Sequence, residues 1–518
     1  MPSYLTPGVY VEEVQSGARP IEGVGTAVAA FVGFAGTGPF HEPTLVTNWD
    51  QYVQRFGSFT EGTYLAHAVY GFFANGGGSA YVVRIGGAAG TAGEDGDGGA
   101  GAAPERPRPE PTAVGGFLFT ALPEAGADLS VEIADAEGEN VPEDRFKLLV
   151  RQGGRVVETF DVSTRKSVKG YLLTQLKDSR FVRVTEQPGA APGRPERRTT
   201  ALAPAPAADP ASGAVRLDAA EYVGDPAART GFAGLEAIDE ITMVAVPDLM
   251  SALRRGDIDA EGVKTVQLAV MSHCEQMGDR VAVLDAPPDL TAQQVRTWRV
   301  EEAGFDSRYA ALYYPWITVF DPATGRNTLV PPSGHIAGVW ARSDAERGVH
   351  KAPANEVVRG AVDLGIRLSK GEQDLLNPIG VNCIRAFPGR GVRVWGARTI
   401  SSDPAWRYLN VRRLFNYLEE SILLGTQWVV FEPNDDRLWS SIRRNITAFL
   451  TEEWRNGALF GRTAAEAFYV KCDRQNNPQE SIDLGRVVCE IGVCPVKPAE
   501  FVVFRLAQFS DSTSLVDE

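Results

Sequence analysis

Histidine, methionine and cysteine are all scarce, five of each in 518 residues. The cysteines (Cys274, Cys383, Cys472, Cys489 and Cys494) are odd in number, widely spaced and form no CxxC pair. No histidine neighbours the C-terminal three, which argues against a zinc ligand set and for buried or free thiols in a reducing compartment. Cys489 and Cys494, five apart in a strand-like stretch, belong on opposite strand faces. Long apolar runs are missing too. The most apolar stretch, Ala27 to Ala35, falls far short of the roughly 20 residues that span a bilayer. The opening MPSYLTPGVYVEEVQSG has no basic n-region, apolar h-region or small-residue cleavage site, so the expectation is cytoplasmic synthesis without a signal peptide and no direct membrane insertion. Basic charge is in the minority: 51 Lys+Arg against 66 Asp+Glu give −15. Such a chain is a poor non-specific nucleic-acid binder.

Nucleotide and hydrolase signals are weak as well. Gly33-Phe34-Ala35-Gly36-Thr37-Gly38 follows a strand but is spaced GxxGxG, and Pro39 with Pro43 prevents the immediate helix whose N-terminus would hold phosphate. No cofactor is implied. An α/β hydrolase with an inserted β domain is the rival reading, with Asp248, Ser272 and His273, or Ser333 and His335, as its candidates. No GxSxG elbow accompanies them. Adjacent carboxylates such as Glu12-Glu13, Glu301-Glu302 and Glu452-Glu453 do not converge on one point.

Glycine and proline are abundant, 54 and 33, and their positions organise the chain. In residues 1–20, Pro2, Pro7, Gly8 and Pro20 bracket Val9-Tyr10-Val11-Glu12-Glu13-Val14, a short strand-prone arm with nothing of its own to pair with. Residues 21–85 alternate strand and helix patterns. The stretch 86–115, with nine Gly and four Pro, has too little apolar surface to offset its ordering entropy and reads as a flexible linker. Residues 116–187 alternate around Gly153-Gly154 and read as a small β-rich domain. The stretch 188–214, with its Ala203-Pro204-Ala205-Pro206 repeat, reads as a second linker. The α/β pattern resumes over 215–395, with apolar strands at Ile241–Val246, Arg280–Leu284 and Tyr309–Phe320. Helices near Trp406–Leu424 and Asp436–Asn456 follow, then strands near Phe468–Cys472, Arg486–Val493 and Phe501–Ala507.

Charge is unevenly spread. Between 385 and 413 lie Arg385, Arg390, Arg393, Arg398, Arg407, Arg412 and Arg413 against one acid, Asp403. Stacking aromatics in an RNA-binding pattern are absent, which leaves arginine forks in a protein interface or ion pairs to other parts of the chain. Leu438, Ile442, Ile446, Phe449 and Leu450 form an apolar helical stripe, and Arg437, Arg443 and Arg444 lie off it.

The run Gly391 to Ile422, GVRVWGARTISSDPAWRYLNVRRLFNYLEESI, resembles the signature of contractile phage-tail sheath proteins. The opening SYLTPGVYVEEVQSGARPIEGVGTAVAAFVGFAGTGP is similar to the start of the same family. Tyr222-Val223-Gly224-Asp225 followed by Thr230-Gly231-Phe232-Ala233-Gly234-Leu235 resembles its entry into the central domain, and the order of these pieces matches. The resemblance implies a non-enzymatic structural protein: stacked hexameric rings forming a helical sleeve that shortens to drive an inner tube through an envelope. It implies an α/β fold with a subtilisin-like central domain over 215–395 and a C-terminal sheath domain over 396–500. The C-terminal domain would be completed by strands exchanged between subunits, from Val9, Tyr10, Val11, Glu12, Glu13 and Val14 of the arm and from Phe501, Val502, Val503 and Phe504 of a second arm over 501–518. Implied partners are further copies of the chain, the inner tube protein, and baseplate and terminal cap proteins. Arg437, Arg443 and Arg444 are the expected tube contacts. A phage tail-like particle released by lysis is the expected destination.

Overall fold

Between Thr26 and Gly86 the chain lays down β1 (Val28–Gly33), β2 (Thr44–Val46) and β3 (Ser79–Arg84), with helices α1 (Trp49–Phe56) and α2 (Leu65–Ala74) between β2 and β3. β1 and β3 pair in parallel from Val28↔Ser79 to Gly33↔Arg84, an arrangement that needs a crossover and so uses the helices. Asn48 starts α1 by accepting from the Gln51 N–H. The computed structural model describes residues 20–86, most of 112–202, and 218–504. Two compact units make up the chain, one of residues 1–87 with 216–518 and one of 88–215.

The unit over 88–215 contains β4 (Thr112–Val114), β5 (Phe117–Ala121), β6 (Leu129–Asp135), β7 (Arg145–Gln152), β8 (Arg155–Ser163), β9 (Val182–Glu186) and β10 (Thr199–Ala201). They form two antiparallel sheets, ordered β10-β6-β7-β8 and β4-β5-β9. Alternate residues Phe146, Leu148 and Val150 of β7 are buried with Phe117, Phe119 and Val131, the period-two pattern of a half-buried strand. β4 and β10 fall in the stretches 86–115 and 188–214, whose composition reads as linker. Low apolar content hid them: Thr112–Val114 is held by pairing with Phe117–Phe119, and Thr199–Ala201 by pairing with Ser130–Glu132, with Leu202 buried beside it. The Gly153-Gly154 turn lies outside the described residues.

The larger unit resumes with β11 (Met243–Ala245), helix α3 (Ala260–Met277), β12 (Val281–Asp285), β13 (Ala310–Tyr314), β14 (Ile317–Asp321), β15 (Arg326–Val330), helix α4 (Ser333–Arg347), β16 (Ala361–Leu364), β17 (Val381–Phe387) and β18 (Gly391–Val394). Eight strands form one sheet in the order β18-β17-β13-β12-β11-β1-β3-β2. All neighbours are parallel except the two antiparallel edges, β18 on β17 and β2 on β3. Every residue of β11, β12 and β13 is buried, as in a parallel sheet covered on both faces. Residues 28–84 and 243–394 thus share one layer. The expected single strand over Tyr309–Phe320 is two strands. Pro315 has no N–H to extend a ladder, and β14 enters a separate three-stranded sheet, β15-β14-β16.

Helix α4 packs on α2 through glycine. A Cβ at Gly334 would sit 2.3 Å from the Ala68 Cα, and one at Gly338 would sit 2.4 Å from the Phe72 carbonyl oxygen. The Gly334-x-x-x-Gly338 spacing puts both on one helix face, so the two backbones meet with no side chain between them.

The C-terminal part carries a separate core. Helix α5 (Leu409–Gly425), helix α6 (Asp436–Arg455), β19 (Phe468–Lys471) and β20 (Glu490–Val493) bury Leu414, Leu418 and the α6 stripe Leu438, Ile442, Ile446, Phe449 and Leu450. Asp435 caps α6, accepting from the N–H groups of Arg437 and Leu438. β19 and β20 pair antiparallel, from Phe468↔Val493 to Lys471↔Glu490, as a two-stranded sheet.

Candidate assembly interface

Of the candidates for nucleophilic chemistry, Asp248 and Ser333 are engaged in tying strands of the large sheet to the helices that follow. Buried Asp248 accepts from the N–H groups of Phe34 at 2.7 Å, Leu65 at 3.1 Å and Tyr64, tying the end of β1 to the start of α2. Burial nevertheless raises its carboxyl to about 6. Asp285, at the end of β12, accepts from the Ser333 N–H at 2.9 Å and the Ser333 hydroxyl at 2.6 Å; burial raises it to about 7. The hydroxyl that would act as nucleophile therefore donates to a carboxylate and is paired with no histidine. His335 is buried with its ring against Gly71, where a Cβ would lie 2.3 Å from Nδ1, and burial lowers its pKa to about 3. His273 sits 3.4 Å from the Arg280 guanidinium, and burial, then that charge, lowers its pKa to about 4. Ser272 is exposed. A nucleophile, a base and an orienting acid are not brought into contact.

What the structure does assemble are two anchored chain exits. The N-terminal segment enters along α5. Ile21 is buried against Gly425, where a Cβ would lie 2.7 Å from its side chain. The Val24 N–H donates to the Ser421 hydroxyl at 3.1 Å, and the Thr26 hydroxyl donates to Asp344 at 2.6 Å. Arg413 closes this point: its guanidinium bonds both Asp344 oxygens, at 2.9 and 2.5 Å, and the Thr26 carbonyl at 3.0 Å. The strand-exchange candidates Val9, Tyr10, Val11, Glu12, Glu13 and Val14 lie outside the described residues.

The C-terminal exit is built the same way. Glu500 accepts from Arg398 Nε at 2.8 Å and from its second guanidinium nitrogen at 2.5 Å, with Asn377 at 3.2 Å. Arg398 is nearly buried and also donates to the Asn377 carbonyl. Immediately beyond it, Phe501, Val502, Val503 and Phe504 are 67–85% exposed and pair with no strand among the described residues. Four consecutive exposed apolar residues on one segment are unusual for a surface without a partner.

The arginine-rich stretch resolves mostly inward. Arg412 bonds Asn416 and Glu419 and lies over the rings of Trp406 and Tyr309, at 4.5 and 4.6 Å. Arg393 donates to the Asn355 carbonyl and Arg385 to Gln373. The charge excess in the sequence marks the arginines but not Asp344 and Glu500, the partners of Arg413 and Arg398, which lie 69 and 102 residues away. The signal that points to them is the requirement that buried guanidinium groups be paired.

Of the expected tube contacts, Arg437 and Arg444 are exposed on α6. They are seven residues apart, which at about 100° per residue places them on one face. Arg443 is different: it is half-buried and donates to the Cys472 carbonyl at 3.0 Å. The two-stranded sheet β19–β20 leaves an edge of each strand without a strand partner among the described residues.

Family comparison places these features in a known setting. Residues 227–400 match the model of the phage tail sheath protein central domain, and residues 401–509 match that of the phage tail sheath C-terminal domain. The tail sheath protein of Vibrio phage KVP40 is 30% identical over 222 residues, covering 42% of this chain and 32% of that protein. A putative prophage major tail sheath protein of Pseudomonas aeruginosa is 26% identical over 251 residues, 47% of this chain and 62% of that protein. These matches span about a third to under two thirds of the relatives' length. Among solved structures, the helical sheath of the anti-feeding prophage in its contracted state aligns with a TM-score of 0.60 at 24% identity, covering 98% of this chain and 100% of that one. The PVC sheath complex of an extracellular contractile injection system, also contracted, aligns with a TM-score of 0.57 at 23% identity, covering 98% and 99%. At that identity the likeness is one of fold. With both sheath domain models matched in order across 227–509, more than half of its 518 residues, this chain belongs to the phage tail sheath family.

Proposed function

We propose that this protein is the repeating subunit of a contractile sheath: hexameric rings of it stack helically around an inner tube, and contraction of the sleeve drives the tube through a target envelope. The observation that carries the proposal is the exposed apolar segment Phe501–Phe504 leaving from an anchored root, in a unit that also holds a two-stranded sheet whose edges have no strand partner among the described residues. An extended segment adds to a neighbour's sheet edge by main-chain hydrogen bonds. Anchored roots transmit tension to the subunit, while the arm beyond them absorbs the rotation between states. The arm residues Val9–Val14 are the second donor in this reading.

The finer features belong to the same proposal. The central domain over 215–395 has subtilisin-like topology, a reading supported by the mainly parallel sheet and the buried helix starting at Ser333. The β-rich unit decorates the sleeve. Partners are the tube protein, with Arg437 and Arg444 facing it, and baseplate and cap proteins. Assembly takes place in the cytoplasm, with release of the particle by lysis. Negative-stain microscopy of the purified chain with its tube protein tests the core of this reading. Hollow striated cylinders are expected, and a chain lacking residues 1–19 should remain folded and form none. A full-length chain that stays monomeric beside its tube would overturn it.

A further inference from the structure

Three of the five cysteines lie close together around β19 and β20, and the register of that sheet sorts them. The pairing runs from Phe468↔Val493 to Lys471↔Glu490; one step further it sets Cys472 directly opposite Cys489. Phe468 and Cys472 are buried, and Cys489, Ile491 and Val493 pack against the same core. Both thiols therefore point to one face. Cys494 sits on the other face and is exposed.

The type of pair matters. In an antiparallel ladder, hydrogen-bonded and non-hydrogen-bonded pairs alternate, and side chains approach more closely in the latter. The Cys494 N–H donates to the Ala467 carbonyl at 2.8 Å, so Ala467↔Cys494 is a hydrogen-bonded pair. Counting inward, Tyr469↔Gly492 and Lys471↔Glu490 are too, and Cys472↔Cys489 is a non-hydrogen-bonded pair. Its Cα separation, about 4.5 Å in such pairs, lies within the range that a disulfide spans. The two thiols are close enough that each perturbs the other's ionisation. The strands are also held in register beyond the ladder. The Asn477 side chain accepts from the Val488 N–H at 2.6 Å and donates to the Val488 carbonyl at 2.9 Å, and Arg443 holds the Cys472 carbonyl.

We propose that Cys472 and Cys489 are an oxidative modification site: a cross-strand thiol pair that a small disulfide converts to an intramolecular disulfide, closing the 472–489 loop and locking β19 to β20. Cys489, the more accessible of the two, attacks the small disulfide as thiolate, forming a mixed disulfide and releasing one thiol. The Cys472 thiolate then attacks the Cys489 sulfur, breaking the mixed S–S bond and releasing the second thiol. Two protein thiols are oxidised, one external disulfide is reduced to two thiols, and the two protein protons end on them. Burial raises both cysteine pKa values, Cys489 to about 12. The reaction is accordingly slow at neutral pH and faster as pH rises, because the thiolate is the attacking species. In the reducing cytoplasm the pair stays open; in an oxidising medium outside the cell it closes. The consequence is a stiffer C-terminal sheet after release.

Oxidised glutathione is the probe, applied to the full chain and followed by alkylation, digestion without reductant and mass spectrometry. The expected product is a Cys472–Cys489 cross-linked peptide, lighter by two hydrogens, about 2 Da. Amides of the 472–489 loop should then exchange at least about tenfold more slowly than in the reduced chain. Cys489→Ser, at a half-exposed position, keeps the fold and abolishes the cross-link, while Cys494→Ser leaves it intact. Recovery of Cys472 and Cys489 as separate alkylated thiols overturns the proposal. So does a persistent glutathione adduct on Cys489, or a bridge from either residue to Cys494.

Discussion

Arg398 and Glu500 meet through two parallel guanidinium–carboxylate bonds, 2.8 and 2.5 Å long, at the last point where the chain is held before Phe501–Phe504 run free. The pair fixes the root of this segment to Arg398 and, through Asn377, to the turn before Val381.

Cutting this link separates folding from assembly. In Glu500→Ala the nearly buried Arg398 loses its carboxylate, and a charged hydrogen-bond partner left alone costs about 1–3 kcal/mol. The expected outcome is a monomer whose melting temperature drops a few degrees with its circular dichroism unchanged, and whose cylinders are lost or shortened. Cylinders of normal length and yield from the Ala variant would show that the root carries no load.

The contact between α2 and α4 rests on Gly334 and Gly338, and larger side chains there fail for a steric reason. Gly334→Ala introduces a methyl group 2.3 Å from the Ala68 Cα, which neither backbone accommodates without shifting. Overpacking of this kind costs about 1–3 kcal/mol. Urea denaturation should give a midpoint lowered accordingly, while Gly371→Ala, at a helical position with nothing within 4 Å, should not lower it, since Ala is the better helix former. Equal midpoints for the two variants would count against the glycine contact.

Much of this architecture is legible in the amino-acid sequence, and the parts that are not share a cause. The apolar runs of β11, β12 and β13 indicate a covered parallel sheet, and the α6 stripe from Leu438 to Leu450 indicates its buried face, because both signals are local. β4 and β10 were lost in Gly/Pro-rich stretches, since three-residue strands are specified by their partners rather than by their own composition. The arginines of 385–413 stood out as an excess of charge, but Asp344 and Glu500 did not. Each is one acid among 66 Asp+Glu, and only the fold brings it to its arginine. Arg443 lies off the apolar stripe as Arg437 and Arg444 do, but the helix turns it about 120° away from Arg437, where it bonds the Cys472 carbonyl.

That difference within α6 gives a test with an internal control. Charge reversal at Arg437 and Arg444 together alters only exposed groups, so the monomer should melt within about a degree of the parent, as surface changes usually do. Assembly on the tube should fall sharply and become more sensitive to salt. Arg443→Glu should instead destabilise the monomer, because it removes the donor to the Cys472 carbonyl. If the double reversal leaves tube-templated assembly untouched, the α6 face does not meet the tube.

Two buried titratable groups at the α4 N-terminus pull stability in opposite directions with pH. The Asp285 carboxyl is raised by burial from 3.8 to about 7, so between those values the folded chain holds a proton that the unfolded chain has released. Its contribution is fully present below pH 3.8 and is lost as pH rises through 7. His335 is lowered by burial from 6.5 to about 3. There the unfolded chain takes up the extra proton, so stability is lost as pH falls from 6.5 toward 3. Asp285→Asn removes the first effect and keeps an acceptor for the Ser333 N–H. Relative to the parent, the variant should therefore gain stability steadily as pH is raised from 4 to 7, as read from urea midpoints at matched ionic strength. His335→Gln should show the reverse trend, losing its advantage over the parent as pH rises from 3 to 6.5. A stability difference between parent and Asp285→Asn that stays flat across this window would mean that Asp285 is ionised throughout, with the Ser333 bonds outweighing its burial.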